Sequence, residues 1–261
     1  MAGDRGGLAL HRGGRRHRRP AAVLHVRRVS RRDRSQRPRS WTMPEPTAGP
    51  TPLRIGVLGA GNIGRPLGRH WLAAGHTVTF GSRTPDRLAA LVEESGERAR
   101  AATYPDAVDA SDVVLLSVPR PQLEELLEQV DDRLTGKTVI DATSPIGLSA
   151  DGLFVSELGT GLTQGSWSAK RLPGSSVARA FSHFPDELLW PRGTQQRHFW
   201  GMAVAADDAE ALRITERLVH DAGFVPVRLG GLDESAAMEP GGALFGYFST
   251  AAGLRKAAGI G

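Results

Sequence analysis

The most constraining feature of this chain is a short strand pattern that runs straight into three spaced glycines and then into a helix. Leu53-Arg-Ile-Gly-Val-Leu58 reads as the strand, Gly59-Ala-Gly-Asn-Ile-Gly64 follows it, and a helical stretch continues to about Ala74. Gly75 closes that helix, and Thr77-Val-Thr-Phe80 reads as a second strand. G-x-G-x-x-G between a strand and a helix is the context a dinucleotide phosphate loop requires. Gly59 makes the tight turn, Gly61 lets backbone approach a pyrophosphate, and Gly64 lets the helix close on the strand. The amides of Asn62, Ile63 and Gly64, at the positive end of the helix, favour an anion. In a chain with 32 Gly the spacing alone would be weak, and its placement between strand and helix supplies the force.

The end of the second strand selects the dinucleotide. About 20 residues past such glycines, an NAD-binding fold places an acid on the ribose 2′-hydroxyl. Here Gly81 stands at that position, followed by Ser82 and Arg83. No carboxylate is present to repel a 2′-phosphate; Ser82 can donate a hydrogen bond, and Arg83 can fork onto the phosphate and stack on adenine. Thr84-Pro85-Asp86 resembles a helix N-cap with proline at the first position, which brings Arg87 within reach of the same phosphate. The expected cofactor is NADP(H).

Strand and helix patterns go on alternating. Leu88–Glu94 reads as helix, Ala99–Thr103 and Asp112–Val118 as strands, Pro121–Leu134 as an amphipathic helix, and Thr138–Ala142 as the next strand. Ser176–Phe181 and Phe199–Ala205 follow as strands, then a helix over about 208–222 and a strand at Phe224–Arg228. Strands apolar on both faces between helices predict an α/β, Rossmann-type doubly wound parallel sheet. No linker interrupts residues 53–230, so one nucleotide-binding domain is expected, with residues 231–261 as a short C-terminal appendage. Ligands in such sheets lie beyond the carboxyl ends of the strands. That rule places Ser117, Val118 and Pro119, and Thr143, Ser144 and Pro145, beside the ribose and nicotinamide.

Composition bounds the remainder. With no Cys, thiolate metal sites, disulfides and a cysteine nucleophile are excluded. No uncharged apolar run approaches the roughly 18–20 residues a spanning helix needs. The net charge of +5 conceals a division: residues 1–42 carry 13 Arg and two acids, leaving residues 43–261 at −6. Residues 1–52 therefore read as an Arg-rich segment unable to bury a core, with residues 1–42 alternatively preceding a start at Met43. A basic arm can bind nucleic acid by releasing counterions, but no other feature asks for that partner. No export or anchoring signal is evident, so a cytoplasmic location is expected.

Residues from about 53 to 246 resemble the NADP oxidoreductases that use the deazaflavin coenzyme F420, the NADPH-dependent F420 reductases. The resemblance is carried by Ile55-Gly-Val-Leu-Gly-Ala-Gly-Asn-Ile-Gly64, Gly81-Ser-Arg83, Leu116-Ser-Val-Pro119, Val139-Ile-Asp-Ala-Thr143 with Pro145, Ala180-Phe181, and Glu239-Pro-Gly-Gly242 before Leu244. It implies direct hydride exchange between a deazaflavin carbon and nicotinamide C4, with ring positioning as most of the catalytic task. It also implies NADP contacts at Gly61, Asn62, Ile63, Ser82, Arg83, Arg87, Val118 and Ala180. The second substrate would lie over Ser144, Pro145, Phe181, Ser182, His183, Pro240, Gly241 and Gly242. A homodimer completed by the C-terminal segment is implied as well. Ser144 and Ser182 depart from the asparagines many members carry, and both lie where the hydride partner would bind.

Those departures keep two alternatives open: an NADPH-dependent reductase of a small imine, enone or carbonyl, and a non-catalytic NADP-binding sensor or partner subunit. His183 is the one group in the predicted crevice able to handle a proton near neutrality, and its competing reading is a hydrogen-bonded wall residue. Asp141 reads as a backbone cap at a strand end, and Trp167, Trp190 and Trp200 as core or interface. His70 and His76 flank the first helix without metal-ligand spacing.

Overall fold

Arg54–Leu58 forms β1, which lies between the second and fourth strands of the chain in the computed structural model, which describes residues 51–158 and 161–261. After it come α1 (Gly64–Ala73), β2 (Thr77–Gly81), α2 (Ala89–Ser95), β3 (Ala99–Ala102), α3 (Tyr104–Asp109), β4 (Val113–Leu116), α4 (Leu123–Leu134) and β5 (Thr138–Asp141). A hairpin of β6 (Ile146–Leu148) and β7 (Phe154–Ser156) leads to α5 (Gln164–Arg171), β8 (Ser176–Ala180) and α6 (Asp186–Gln195). The chain ends through β9 (Gly201–Ala206), α7 (Ala209–Asp221), β10 (Val225–Gly230) and α8 (Ala251–Ala257). The Arg-rich segment and its alternative start at Met43 lie outside the described residues.

The main sheet runs β10-β9-β8-β5-β4-β1-β2-β3. From β3 to β8 all neighbours are parallel, and the chain reverses direction across the sheet between β1 and β4. Alternation of side chains produces two cores. Ile55, Val57, Val78, Phe80, Val113 and Leu115 face Trp71 of α1 and Leu218 of α7. Leu58, Val114, Leu116 and Val139 face α3 and α4 through Ala107, Leu123, Leu127 and Val130. Each face is sealed by helices, which is why the strands are apolar on both sides.

The expected all-parallel sheet is modified at one edge, where β9 runs antiparallel to β8 and β10 then follows β9 in parallel. β9 is buried over its whole length, so its composition carries no sign of direction. Residues 231–261 cover this edge. Trp200 bridges Thr250, and Leu244, Met238 and Leu254 pack on Ala203, Ala205 and Val227. Four helices have no counterpart in the sequence patterns. α3 is six residues capped by Thr103, too short to show a period, and α5 owes its start to a polar Thr163–Ser166 capping box. α6 contains Pro191 and a Gly193 pressed against His70, residues that read as a break. α8 spans only seven residues.

Candidate dinucleotide crevice

The three loop glycines differ in what surrounds them. Gly59 has φ +104°, and a Cβ there would meet the Ser117 carbonyl oxygen at 2.8 Å. A Cβ on Gly64 would fall inside the radius of the Gly59 carbonyl and 2.7 Å from Ser117 Oγ. At Gly61 a Cβ would meet nothing within 4 Å, so the space beside that backbone is open. Ser117 holds the turn from beneath, its hydroxyl donating to the Leu58 and Gly59 carbonyls at 3.2 and 2.9 Å. Helix α1 then starts at Gly64 with no side-chain cap and no acid in its first turn, which leaves its dipole unopposed.

Beside this turn lies the end of β2. Leu58 is in register with Gly81, and the Gly59 amide donates to the Gly81 carbonyl at 3.2 Å. Gly81 is buried, and a Cβ there would press on Leu58 and Tyr104, so the position has no room for a carboxylate without repacking. Ser82 Oγ accepts from the Thr84 amide at 3.1 Å and keeps its own proton for donation. Arg83 and Arg87 are exposed, and Arg83 makes one contact of 3.5 Å with Gln122. The expected N-cap at Thr84 is only backbone: its side chain makes no capping bond, and Pro85–Leu88 is a 3-10 turn.

A crevice of about 530 Å³ opens where the strand order reverses. Eight of the expected residues line it: Gly61, Asn62, Ile63, Ser117, Val118, Pro119, Thr143 and Ser144. Thr143 Oγ1 and Ser144 Oγ are buried there without a hydrogen-bond partner among the described residues. Buried hydroxyls of that kind are costly unless something pairs with them. An open cradle at Gly61, an uncapped helix start and two unpaired hydroxyls fit a ribose–pyrophosphate chain.

Other expected residues are not brought into that wall. Pro145 and Pro240 are buried, and Ala180 is wholly inside the sheet. Phe181, at φ +66°, turns its ring into the core against Trp71, 6.1 Å away. Ser182 Oγ is buried and unpartnered, while Gly241 and Gly242 lie outside the crevice lining. His183 is a strut rather than an acid or base. Its Nε2 accepts from the Ala203 amide at 3.0 Å, and its Nδ1 donates to the Tyr247 carbonyl at 3.3 Å. Burial lowers its pKa to about 4, so it stays neutral with both ring nitrogens occupied.

Two features escape the sequence patterns. One is Asp186, which shares the crevice with Asn62 and also lines a neighbouring hollow of about 330 Å³ against Arg65, Arg69 and Trp190. Burial, the largest single influence, acts to raise its pKa, but hydrogen bonds from Asn62, from Glu187 and from backbone amides together outweigh it and lower the pKa. The other is a buried polar relay beneath β5. Asp141 does cap backbone, accepting from the Thr143 amide at 2.8 Å. Its second oxygen also accepts from Gln164 Nε2 at 3.0 Å and Ser168 Oγ at 2.6 Å, and the carboxylate pairs with Arg179. The Gln164 amide reaches Glu239 Oε1 at 2.6 Å, tying the Glu-Pro-Gly-Gly segment to this cluster. These partners come from four separate stretches of chain, so no local spacing announces them.

Residues 54–145, from β1 to the end of the loop after β5, match the family model described as NADP oxidoreductase coenzyme F420-dependent. Over that stretch the chain is similar to that family. A relative named F420-dependent NADP reductase, from Methanothermobacter thermautotrophicus, is 28% identical over 72% of this chain and 85% of its own length. The metalloreductase STEAP3 of Rattus norvegicus is 24% identical over 71% of this chain, which spans only 36% of that relative. Among solved structures, a hypothetical protein SMa0349 from Sinorhizobium meliloti superposes with a TM-score of 0.67 at 26% identity, covering 76% of this chain and 95% of its own. The family match ends at Pro145, so it covers the crevice walls contributed by β1, β2, β4 and β5 and not the segments that follow.

Proposed function

We propose that the crevice binds NADP(H) and that the protein exchanges hydride directly between the nicotinamide and coenzyme F420. The observation that carries the reading is the pairing of an open phosphate cradle at Gly61 with an acid-free β2 terminus. Ser82 and Arg83 stand next to the glycine turn, and Gly81 leaves no room for the carboxylate that would select NAD. In this reading Asn62, Ile63 and Gly64 present amides to the pyrophosphate. Ser82, Arg83 and Arg87 take the 2′-phosphate, and Thr143 and Ser144 pair with ribose or carboxamide. The bound dinucleotide supplies a hydride at nicotinamide C4; the protein's task is to hold two flat rings together and exclude water. With His183 occupied, no described crevice residue other than Asp186 is an acid or base, which suits a transfer needing no side-chain proton donor.

Absorbance stopped-flow with NADPH and oxidised F420 tests this: bleaching of the deazaflavin band is expected. A second reading, reduction of a small imine, enone or carbonyl, is favoured by the unpaired Ser144 hydroxyl in the crevice wall, which can orient a polar substrate. Absence of bleaching, with NADPH consumed on addition of a cyclic imine, would select it.

A further inference from the structure

Arg120 lines the crevice beside Pro119 and Ser144, and its guanidinium is fixed on two sides. Its Cζ lies 4.0 Å from the centre of the Trp167 ring, and its Nε donates to Gln164 Oε1 at 3.1 Å. Gln164 is fully buried and has little freedom, being bonded to Asp141, Ser168 and Glu239 at once. Among the described residues no carboxylate pairs with Arg120, and neither Nη has a protein partner. The only acid lining the crevice among those residues, Asp186, is already engaged by Asn62.

A guanidinium held by its Nε and one ring face keeps its two Nη groups in a fixed plane, the geometry that matches a pair of anionic oxygens. Stacking on the indole supports the cation but supplies no counter-charge. We propose that Arg120 is an anion clamp, taking a phosphate or carboxylate oxygen of the molecule bound in the crevice. The oxygen has two possible sources: a phosphate of the dinucleotide, or an acidic substituent of the hydride partner. The inference rests on the crevice being the dinucleotide site.

The test uses Arg120→Met, which keeps a stem on Trp167 and removes the charge, with Arg120→Lys as the charge-retaining control. NADPH affinity is measured by fluorescence titration, and KM for F420 by steady-state absorbance, each at low and high salt. The expected result is a rise of about tenfold or more in one constant, with its salt dependence flattened and partly restored by Lys. A weaker NADPH affinity assigns the clamp to the dinucleotide; a raised KM at unchanged NADPH affinity assigns it to the hydride partner. Constants within about twofold of wild type at an unchanged melting temperature overturn the proposal. So does a loss that follows a lowered melting temperature and keeps the wild-type salt dependence. Should wild type bind NADPH but leave F420 unreduced, the clamp stands or falls on the NADPH arm alone; a wild type that binds no NADPH defeats the crevice assignment itself.

Discussion

Asp141 and Arg179 form an ion pair of 3.1 Å with both side chains completely buried, joining the ends of two adjacent parallel strands. Arg179 Nη1 also donates to the Asp141 carbonyl at 2.6 Å, while its Nε and Nη2 have no partner among the described residues. Glu239 lies close enough for its carboxyl to feel Arg179, although burial, the larger influence, raises its pKa. The pair therefore anchors β5, β8, α5 and the Glu-Pro-Gly-Gly segment under the crevice.

Removing one partner of such a pair leaves an uncompensated buried charge, at a cost of about 3–5 kcal/mol. Arg179→Met is expected to lower unfolding free energy by that amount in a urea titration. Adding Asp141→Asn to it should recover part of the loss, because the stranded carboxylate is then gone. Additive losses would show that the two groups do not act as a pair.

Gly64→Ala and Gly61→Ala should fail in different ways. The first forces a methyl into the Gly59 carbonyl, so it should lower the melting temperature, in line with an overpacking cost of about 1–3 kcal/mol. The second adds a methyl to open space and should leave the melting temperature unchanged while weakening NADPH binding on the order of tenfold. Calorimetric melting and isothermal titration of both variants check this. Unimpaired NADPH binding by Gly61→Ala would remove the phosphate cradle from that backbone.

Arg83→Ala is expected to weaken NADPH by roughly tenfold or more, the scale of a charge-assisted bond of about 1.5–3 kcal/mol, and to leave NADH nearly unchanged. Parallel titrations with the two dinucleotides decide it. Equal losses would contradict the assignment of the β2 terminus to the 2′-phosphate.

Stability should fall on acidification between about pH 6.5 and pH 4. Burial lowers the pKa of both His183 and His70 from 6.5 to about 4. In that window the unfolded chain binds protons the folded chain excludes, so unfolding free energy rises with pH. Near pH 5.5, unfolding should take up about two protons through these side chains, measurable as the pH slope of the urea midpoint. His183→Gln should reduce that slope. An unchanged slope would mean that His183 is protonated in the native state. Because both His183 nitrogens are bound to backbone, the pH profile of turnover should show no inflection from it.

Local pattern was enough for the glycine-turn half of the crevice. The strand, glycine turn and helix from Arg54 to Ala73, and the acid-free sequence Gly81-Ser-Arg83, are contiguous segments in which each residue's task follows from its immediate neighbours. Backbone conformation and close approach are short-range demands, and glycine is the residue that meets them. The same holds for the parallel strands through β5, whose apolar runs and bounding glycines are read one segment at a time.

What only the folded chain decides is everything that depends on direction or on distant partners. A fully apolar β9 looks the same read up or down, and its antiparallel course is visible only in the folded chain, where the C-terminal segment packs on it. Phe181 and His183 follow a strand whose apolar pattern predicts a crevice position, yet with a positive φ at Phe181 that segment lies in the core. Arg120 and Gln164 are 44 positions apart, and Gln164 and Glu239 are 75 apart. Hydrogen bonds at such separations leave no period and no motif in the chain; they exist because two parallel strands and the helices covering them bring those side chains to one dry place.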